Sequence, residues 1–260
     1  MKRSTDTLSS VRNTVKILKE YTKDDAELGI TELSKRTGLT KSSVNRIIQT
    51  LYDEDVLYKN PRTHKYRLGI TIFELGSVVY NELSIGQIAI PIFEKIKDKV
   101  RGDIHVVTYD KGDIVYLQRI PERLRALIHI GGRIRSHGTA AGKLLLAYQE
   151  AEEIDRVLQN ELVAYTNRTI TSSKELKSEL DRIKSNGYSV SIGEFIEGIC
   201  SIAVPIYNDS KKVIAAISLT RENMTPTNAK ITELVNQLKM CSRLITENMV
   251  INDYNNSIDL

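Results

Sequence analysis

The sequence contains few of the residues that build disulfide scaffolds, and none of the long apolar runs that cross membranes. It has two cysteines, Cys200 and Cys241, among 260 residues, which excludes a disulfide-stabilised scaffold and is typical of a reducing compartment. Charged residues interrupt every apolar run before it reaches the roughly 18 residues of a membrane helix. The first residues include no apolar stretch, so we expect no secretory signal, no membrane partner and a cytoplasmic location.

The chain also lacks the short motifs of common catalytic and metal sites. It contains no G-x-S-x-G, H-E-x-x-H or Cys-x-x-Cys. Its four histidines are scattered along the sequence, at positions 64, 105, 129 and 137. We therefore expect no catalytic residue, no metal ion and no cofactor. A convergence of His105, His129 and His137 in the folded chain is the alternative that this spacing leaves open.

A strong excess of charge of either sign is absent as well. The 37 basic and 33 acidic residues leave a net charge of +4, which is too small to indicate a nucleic-acid partner by itself. Residues 30–67, however, hold eight basic and four acidic residues, so this stretch carries an excess equal to that of the whole chain. A basic patch confined to one small module is typical of a DNA-binding domain, although a solvated charged surface is the commoner meaning of such a run.

The sequence does have an ordinary globular composition, with 41% hydrophobic and 27% charged residues. Its length of 260 residues predicts about two domains.

The first part of the chain predicts three short helices, the earliest with an apolar stripe of Val11, Val15, Leu18 and Tyr21. A helix over 30–37 ends at Gly38, which tolerates the positive φ of a tight turn. Thr40 then caps a third helix. Two helices joined by a short glycine-containing turn indicate a helix-turn-helix.

The third helix carries side chains that suit DNA. Arginine pairs with guanine and asparagine with adenine, while serine and lysine contact phosphates or bases. A following hairpin, with strand-like runs on both sides of an Asn-Pro turn, predicts the wing of a winged helix-turn-helix over 8–69. An ordinary surface helix with solubilising residues is the alternative. The predicted DNA-binding residues are Thr40, Lys41, Ser42, Ser43, Asn45 and Arg46 on the helix, and Lys59, Arg62, Lys65 and Arg67 on the wing.

The remainder of the chain predicts one further helix and a second domain. Residues 70–84 carry Ile72, Leu75, Val79 and Leu83 at helical spacing, a stripe that suits a core or a contact between subunits. In residues 85–250, strand pairs joined by short turns alternate with helices, which favours an α+β domain with an antiparallel sheet flanked by helices. We expect 251–260 to be a flexible tail.

Two groups of segments resemble the isocitrate-lyase-regulator (IclR) family of bacterial transcription factors. The first group is "SVRNTVKILKEY", "LGITELSKRTGLTKSSVNRIIQTLYDEDVLYKNPRTHKYRLG" and "ITIFELG"; the second is "HGTAAGKLLLA", "TITSSKELKSELDRIKSNGYSV", "EFIEGICSIAVPIYN" and "KKVIAAISLT". The resemblance spans about residues 10–250. It implies a winged helix-turn-helix, a linker helix and a GAF/PAS-like effector domain, and hence a homodimer or tetramer that binds a double-stranded DNA operator.

The resemblance also implies where an effector would bind. It places the backbone of Ala140 and Ala141 against a ligand carboxylate, hydroxyl groups of the pocket at Ser191, Ser201, Ser218 and Thr220, and apolar walls at Ile134 and Ile199. Family members often carry an acidic residue near Ser191 and a cysteine at position 201, and this sequence has serine at both. Close packing by small residues is the alternative reading of residues 138–142. Glu194 and Glu197 either add an acidic group to the pocket or are solvated, as is expected of an exposed segment.

These observations predict a ligand-responsive, DNA-binding transcriptional regulator that senses a small carboxylate such as a keto acid or a sugar acid, and we expect it to act as a repressor. Two alternatives remain. One is a constitutive DNA-binding scaffold without an effector, and the other is a metabolite-transforming enzyme with an attached basic module.

Overall fold

The computed structural model describes residues 8–82, 85–121, 129–224 and 226–258. By its internal contacts the chain divides into two compact units, Met1–Glu82 and Leu83–Leu260. Among the described residues, no helix is both long enough and apolar enough to cross a lipid bilayer.

The first unit begins with three helices: α1 (Ser9–Leu18), α2 (Ile30–Thr37) and α3 (Lys41–Asp53). They enclose a small core with Ile17, Leu33, Val44 and Ile48, which are all fully buried. Gly38 ends α2 with φ of +69°, the left-handed conformation that a helix-turn-helix needs at this position. The helix-turn-helix prediction is therefore confirmed.

The predicted stripe of α1 is wrong in its first half. Val11 and Val15 are 57% and 45% exposed, whereas Ile17 is fully buried. Leu18 and Tyr21 pack against the same core. The buried residues therefore lie at the end of α1, with Ile17 and Leu18 in its last turn and Tyr21 in the segment that follows.

The wing and the linker helix complete the first unit. Strands β1 (Leu57–Lys59) and β2 (Tyr66–Leu68) pair antiparallel, and helix α4 follows over Ile70–Glu82. Two of the predicted linker residues, 83 and 84, lie outside the described residues. The exposed apolar side chains of α4 are Ile70, Phe73, Leu75, Val78 and Val79.

The second unit is built on a six-stranded antiparallel sheet. Its strands are β3 (Asp103–Asp110), β4 (Asp113–Ile120), β5 (Arg133–Arg135), β6 (Ser189–Ile192), β7 (Ile199–Tyr207) and β8 (Val213–Glu222). Their order across the sheet is β5-β4-β3-β8-β7-β6. Between Val106 and Val107 the pairing of β3 with β4 shifts by one residue, because β4 contains a bulge there.

Helices cover both faces of this sheet, as the α+β prediction requires. On one face, α5 (Ile85–Val100) and α9 (Asn228–Ile258) share a core with Ile104, Val204 and Ile217. On the other, α6 (Ala140–Ala147), α7 (Ala151–Leu158) and α8 (Ser173–Asn186) pack over Val107 and Ala216. A short 3₁₀ turn over Ser136–Gly138 precedes α6.

The predicted flexible tail is helical over most of its length. Helix α9 continues to Ile258, well beyond position 250. Its sequence from 228 to 258 contains neither glycine nor proline, so no residue type that breaks a helix is present to end it earlier.

Candidate functional site

The start of α3 is held by a hydroxyl cap. The Thr40 oxygen Oγ1 accepts a hydrogen bond from the backbone N–H of Ser43 at 3.2 Å, and the Thr40 hydroxyl donates to the Ser43 hydroxyl oxygen at 2.9 Å. These two hydroxyl groups therefore stabilise the helix end. All six predicted residues of this helix start are exposed. The Ser42 hydroxyl oxygen also lies 3.0 Å from the Thr40 oxygen, so the side chains outside the cap are Lys41, Asn45 and Arg46.

The predicted basic residues of the wing differ in how much charge they offer to a partner. The Lys65 ammonium pairs with Glu32 at 3.0 Å, so part of its charge is compensated within the unit. The Arg67 guanidinium lies over the Tyr58 ring, 4.6 Å from the ring centroid, which orients it along the wing. The exposed basic residues of the wing are Lys59, Arg62 and Arg67.

The second unit contains a cavity over the α6 face of the sheet. The predicted effector residues that line it are Ala141, Ser191, Ile199, Ser201, Ser218 and Thr220. The cavity has further lining residues that the sequence did not predict: Asp103, His105, Tyr116, Arg119, Thr139, Phe195 and Ile196. The fold thus collects residues from five strands (β3, β4, β6, β7 and β8), the start of α6 and the loop after β6 around one space.

Ile134 and Ala140 do not line the cavity. Ile134 pairs with Ile114 in the sheet and packs against the core beneath α6. The Ala140 side chain is fully buried in the same core. Their side chains therefore support the cavity from the core and are not part of its lining.

The first turn of α6 faces the cavity with Ala141. The cap residue Thr139 accepts a hydrogen bond from the Gly142 N–H at 3.0 Å. Helix geometry leaves the N–H groups of Ala140 and Ala141 without an intrahelical partner, at the positive end of the helix dipole. Such a pair of amides is suited to a carboxylate.

Close packing by small residues is present at the same segment. A Cβ on Gly142 would overlap the carbonyl oxygen of Ser136, and one on Gly138 would lie 2.7 Å from a ring carbon of Tyr165. Both glycines are therefore explained by packing. Ala141 lines the cavity, as the ligand-binding interpretation of this segment requires. The next residue, Gly142, packs against Ser136, as the close-packing interpretation requires.

The floor of the cavity is a polar part of the sheet. Asp103 pairs in register with Thr220, which in turn pairs with Ser201. The Ser201 and Thr220 hydroxyl oxygens are 3.4 Å apart. This row of side chains crosses three strands and offers hydroxyl groups to a ligand.

The floor also holds a buried ion pair. The Arg119 guanidinium binds the Asp103 carboxylate through Nη2 at 2.6 Å and Nε at 3.1 Å, and both side chains are largely buried. The two charges compensate each other. The cavity floor is therefore neutral overall in this region, and it includes an ion pair that the sequence did not predict.

His105 lies beside this ion pair and is 2% exposed. Its ring packs edge-on against Tyr116, with the centroids 5.3 Å apart. Burial lowers the pKa of His105 to about 4, while Asp103 and Arg119 act on that pKa with opposite signs. The imidazole is therefore neutral at physiological pH.

An aromatic stack closes one side of the cavity. Phe195 packs edge-on against Tyr165 at 4.8 Å between centroids, and Tyr165 stacks on His137 at 5.8 Å. The Nε2 atom of His137 lies 2.9 Å from the carbonyl oxygen of Val163. Burial lowers the pKa of His137. This histidine thus supports the wall behind Phe195, and His105 contributes to the floor.

Glu194 is buried, contrary to the solvated role considered for it. Both of its carboxylate oxygens lie 2.6 Å from Nζ of Lys143, whose side chain is 1% exposed. Because Glu194 precedes Phe195, this pair fixes the cavity loop to helix α6. Glu197 is exposed. Among the described residues, no group of three His, Cys, Asp or Glu side chains could hold a metal ion.

The buried His105 predicts a pH dependence of stability. Its pKa is about 4 in the folded chain and about 6.5 when unfolded, so acidification protonates the unfolded state first and destabilises the fold between these values. We expect His105→Asn to reduce the loss of unfolding free energy between pH 7 and pH 4 by about 3 kcal/mol. Urea titrations at both pH values test this, and equal losses in both proteins would contradict it.

A winged helix-turn-helix joined to an α+β domain whose cavity has a polar floor is the architecture of a transcriptional regulator with a sensor domain. Comparisons with known proteins identify the family. The model of the IclR helix-turn-helix domain matches residues 10–61, and that of the bacterial transcriptional regulator IclR C-terminal domain matches residues 78–247. The chain belongs to the IclR family of transcriptional regulators.

Relatives match along nearly the whole chain. It is 32% identical over 252 residues to the HTH-type transcriptional regulator KdgR of Escherichia coli K12, covering 96% of this chain and 95% of the relative. It is 30% identical over 235 residues to the regulator XynR of the same strain, covering 89% and 93%. The fold is shared with the crystal structure of an IclR homolog from Microbacterium hydrocarbonoxydans complexed with 4-hydroxybenzoate, at a TM-score of 0.81, 24% identity and coverage of 94% and 100%.

Proposed function

We propose that this regulator represses transcription by binding an operator through its winged helix and is controlled by a small carboxylate bound in the cavity. The observation that supports this proposal most strongly is that one chain combines an exposed recognition helix carrying basic residues with a cavity whose lining includes polar side chains and the start of a helix. An enzyme or an effector-free scaffold would not need that combination. Because the target is DNA, the proposal places the protein in the cytoplasm.

The DNA-binding module is assigned to residues 8–69, with 70–84 as the linker helix and 85–250 as the effector-binding and oligomerisation domain. Lys41, Asn45 and Arg46 would enter the major groove, and Arg62 and Arg67 would contact phosphates or the adjacent minor groove. A single module of this size binds DNA weakly, so a homodimer or tetramer on a near-palindromic operator is expected.

The effector is assigned to the class of small carboxylates. The N–H groups at Ala140 and Ala141 would bind the carboxylate, and Ser191, Ser201 and Ser218 would bind its polar substituents. The ligand would change DNA affinity by binding one arrangement of the DNA-binding modules more tightly than another.

A thermal-shift screen of sugar acids and small keto acids tests the effector proposal. A ligand present at 100 times its Kd stabilises the folded protein by about 2.7 kcal/mol, which raises Tm measurably. The same compounds as amides or alcohols, without a carboxylate, are the matched controls and are expected to have no effect. An absence of stabilisation across the acids would favour the scaffold, and chemical turnover of any of them would favour the enzyme.

A further inference from the structure

A half-buried carboxylate of the first unit, that of Glu27, lies against the wing that is proposed to contact DNA. Its two oxygens accept hydrogen bonds from the Asn60 side-chain amide at 2.8 Å and from the Thr63 hydroxyl at 3.1 Å. A negative charge beside a DNA-binding surface opposes the attraction of phosphates. The presence of Glu27 at this position therefore needs an explanation.

A second carboxylate near the wing, that of Glu32, is explained by the helix that it caps. It accepts a hydrogen bond from the backbone N–H of Gly29 at 2.7 Å, at the start of α2, and one from the Lys65 ammonium at 3.0 Å. Glu27 caps no helix, and both of the hydrogen bonds described for its side chain come from the wing.

Glu27 fixes the turn at the tip of the wing through Asn60. The side-chain oxygen of Asn60 accepts hydrogen bonds from the backbone N–H groups of Arg62 at 2.9 Å and Thr63 at 3.3 Å, while its side-chain nitrogen donates to Glu27. The hydrogen bond from Asn60 lowers the pKa of Glu27, so the carboxylate is ionised at neutral pH and accepts both bonds. The backbone of Arg62 is thus connected to Glu27 through one side chain.

The residue after Glu27 connects this anchor to the body of the first unit. Leu28 and Tyr66 exchange two backbone hydrogen bonds of 2.9 Å each, and both side chains are buried in the same core as Val44 of α3. The wing turn and the recognition helix are therefore held on one core.

We propose that Glu27 is a positioning residue for DNA binding, which orders the wing turn in the free protein so that Arg62 is already placed for a phosphate. This inference rests on the proposed contact of the wing with DNA. A turn that is ordered in advance loses less conformational freedom on binding. A negatively charged side chain thereby strengthens the binding of a polyanion.

Two substitutions of Glu27 remove the same charge but leave different hydrogen bonds. Glu27→Ala removes both acceptors and should weaken binding about three- to tenfold, both to an operator selected from random DNA and to an unrelated duplex. Glu27→Gln keeps an oxygen that accepts from Asn60 and an amide that donates to the Thr63 oxygen, so it should bind at least as tightly as the wild type.

Fluorescence anisotropy of the full chain over a series of salt concentrations measures these effects. The salt dependence should fall in Glu27→Ala by about the one phosphate contact of Arg62. If Glu27 acted through its charge alone, Glu27→Ala and Glu27→Gln would strengthen binding equally.

Three further variants serve as controls. Asp24→Asn removes one negative charge from an exposed position of the same segment and should bind DNA no more weakly than the wild type. In an Arg62→Ala background, Glu27→Ala should cause little further loss, because Glu27 acts through Arg62. If Glu27→Ala does not fold, Thr63→Val removes one donor at an exposed position without a change of charge, and should weaken binding by a smaller factor.

Hydrogen exchange of the free protein reports the order of the wing directly. Backbone amides of residues 57–68 should exchange faster in Glu27→Ala than in the wild type, and at the wild-type rate in Glu27→Gln.

The outcomes separate this inference from the function on which it rests. Each of the following would overturn the positioning role of Glu27 and leave DNA binding by the wing in place: equal or tighter binding by Glu27→Ala, full additivity with Arg62→Ala, unchanged exchange of the wing, or unchanged affinity of Thr63→Val. If Arg62→Ala binds DNA as the wild type does, or if the wild type binds no DNA, the proposed wing contact fails and the role of Glu27 fails with it.

Discussion

Replacing Lys143 by alanine should lower the free energy of unfolding by about 3–5 kcal/mol, because it leaves the Glu194 carboxylate buried without its partner. The two side chains are 1% and 11% exposed, and a second carboxylate, that of Glu179, lies 3.6 Å from the same ammonium. Urea unfolding at neutral pH measures the loss.

An exposed ion pair provides the matched control. Lys230 pairs with Glu233 at 2.8 Å, with side chains 39% and 50% exposed, so Lys230→Ala should cost less than about 1 kcal/mol. Lys143→Met combined with Glu194→Leu removes both buried charges and should recover most of the stability. Losses of the same size for Lys143→Ala and Lys230→Ala would contradict the buried pair.

Replacing Arg46 by alanine should weaken binding to a specific operator by about 1–3 kcal/mol and relax the sequence preference at the base that it contacts. The operator is obtained by selection from random DNA with the wild-type chain, and fluorescence anisotropy at fixed salt measures the affinity. Arg46 is exposed in the first turns of α3, where a recognition helix contacts base edges.

Comparison with Arg62→Ala separates the effect of a lost base contact on DNA affinity from the effect of a lost positive charge. Arg62 lies at the exposed tip of the wing, so its loss should weaken binding to all sequences about equally and reduce the salt dependence by about one phosphate contact. The same uniform weakening from Arg46→Ala would contradict base recognition by α3. Lys177→Ala on the exposed surface of α8 controls for the loss of one positive charge and should bind as the wild type does.

The helix-turn-helix was predictable because its signals are local. Gly38 must adopt a positive φ, and Thr40 must cap the next helix, and the structure has both. The buried face of α1 was less predictable, because Val11 and Val15 have helical spacing but are exposed, and tertiary packing buries Ile17 instead. Local pattern thus determined where the helices lie more reliably than which face is buried.

The polar floor of the cavity could not be read from the strand pattern. Strict alternation from Tyr116 would place Arg119 on the opposite face of β4. The bulge after Tyr116 shifts the register, so both residues face the same cavity. The burial of Glu194 was equally hidden, because its partner Lys143 lies 51 positions away. Such features depend on long-range pairing, which no short window of sequence contains.

The most direct test of the central claim combines both sites in one measurement. Fluorescence anisotropy of the selected operator is followed as an acid that stabilises the protein in the thermal-shift screen is added. The account predicts that this acid changes operator affinity, and that Ala141→Leu, which fills the cavity in front of α6, removes the response while operator binding without ligand is retained. An operator affinity that no stabilising acid changes would contradict a ligand-responsive regulator.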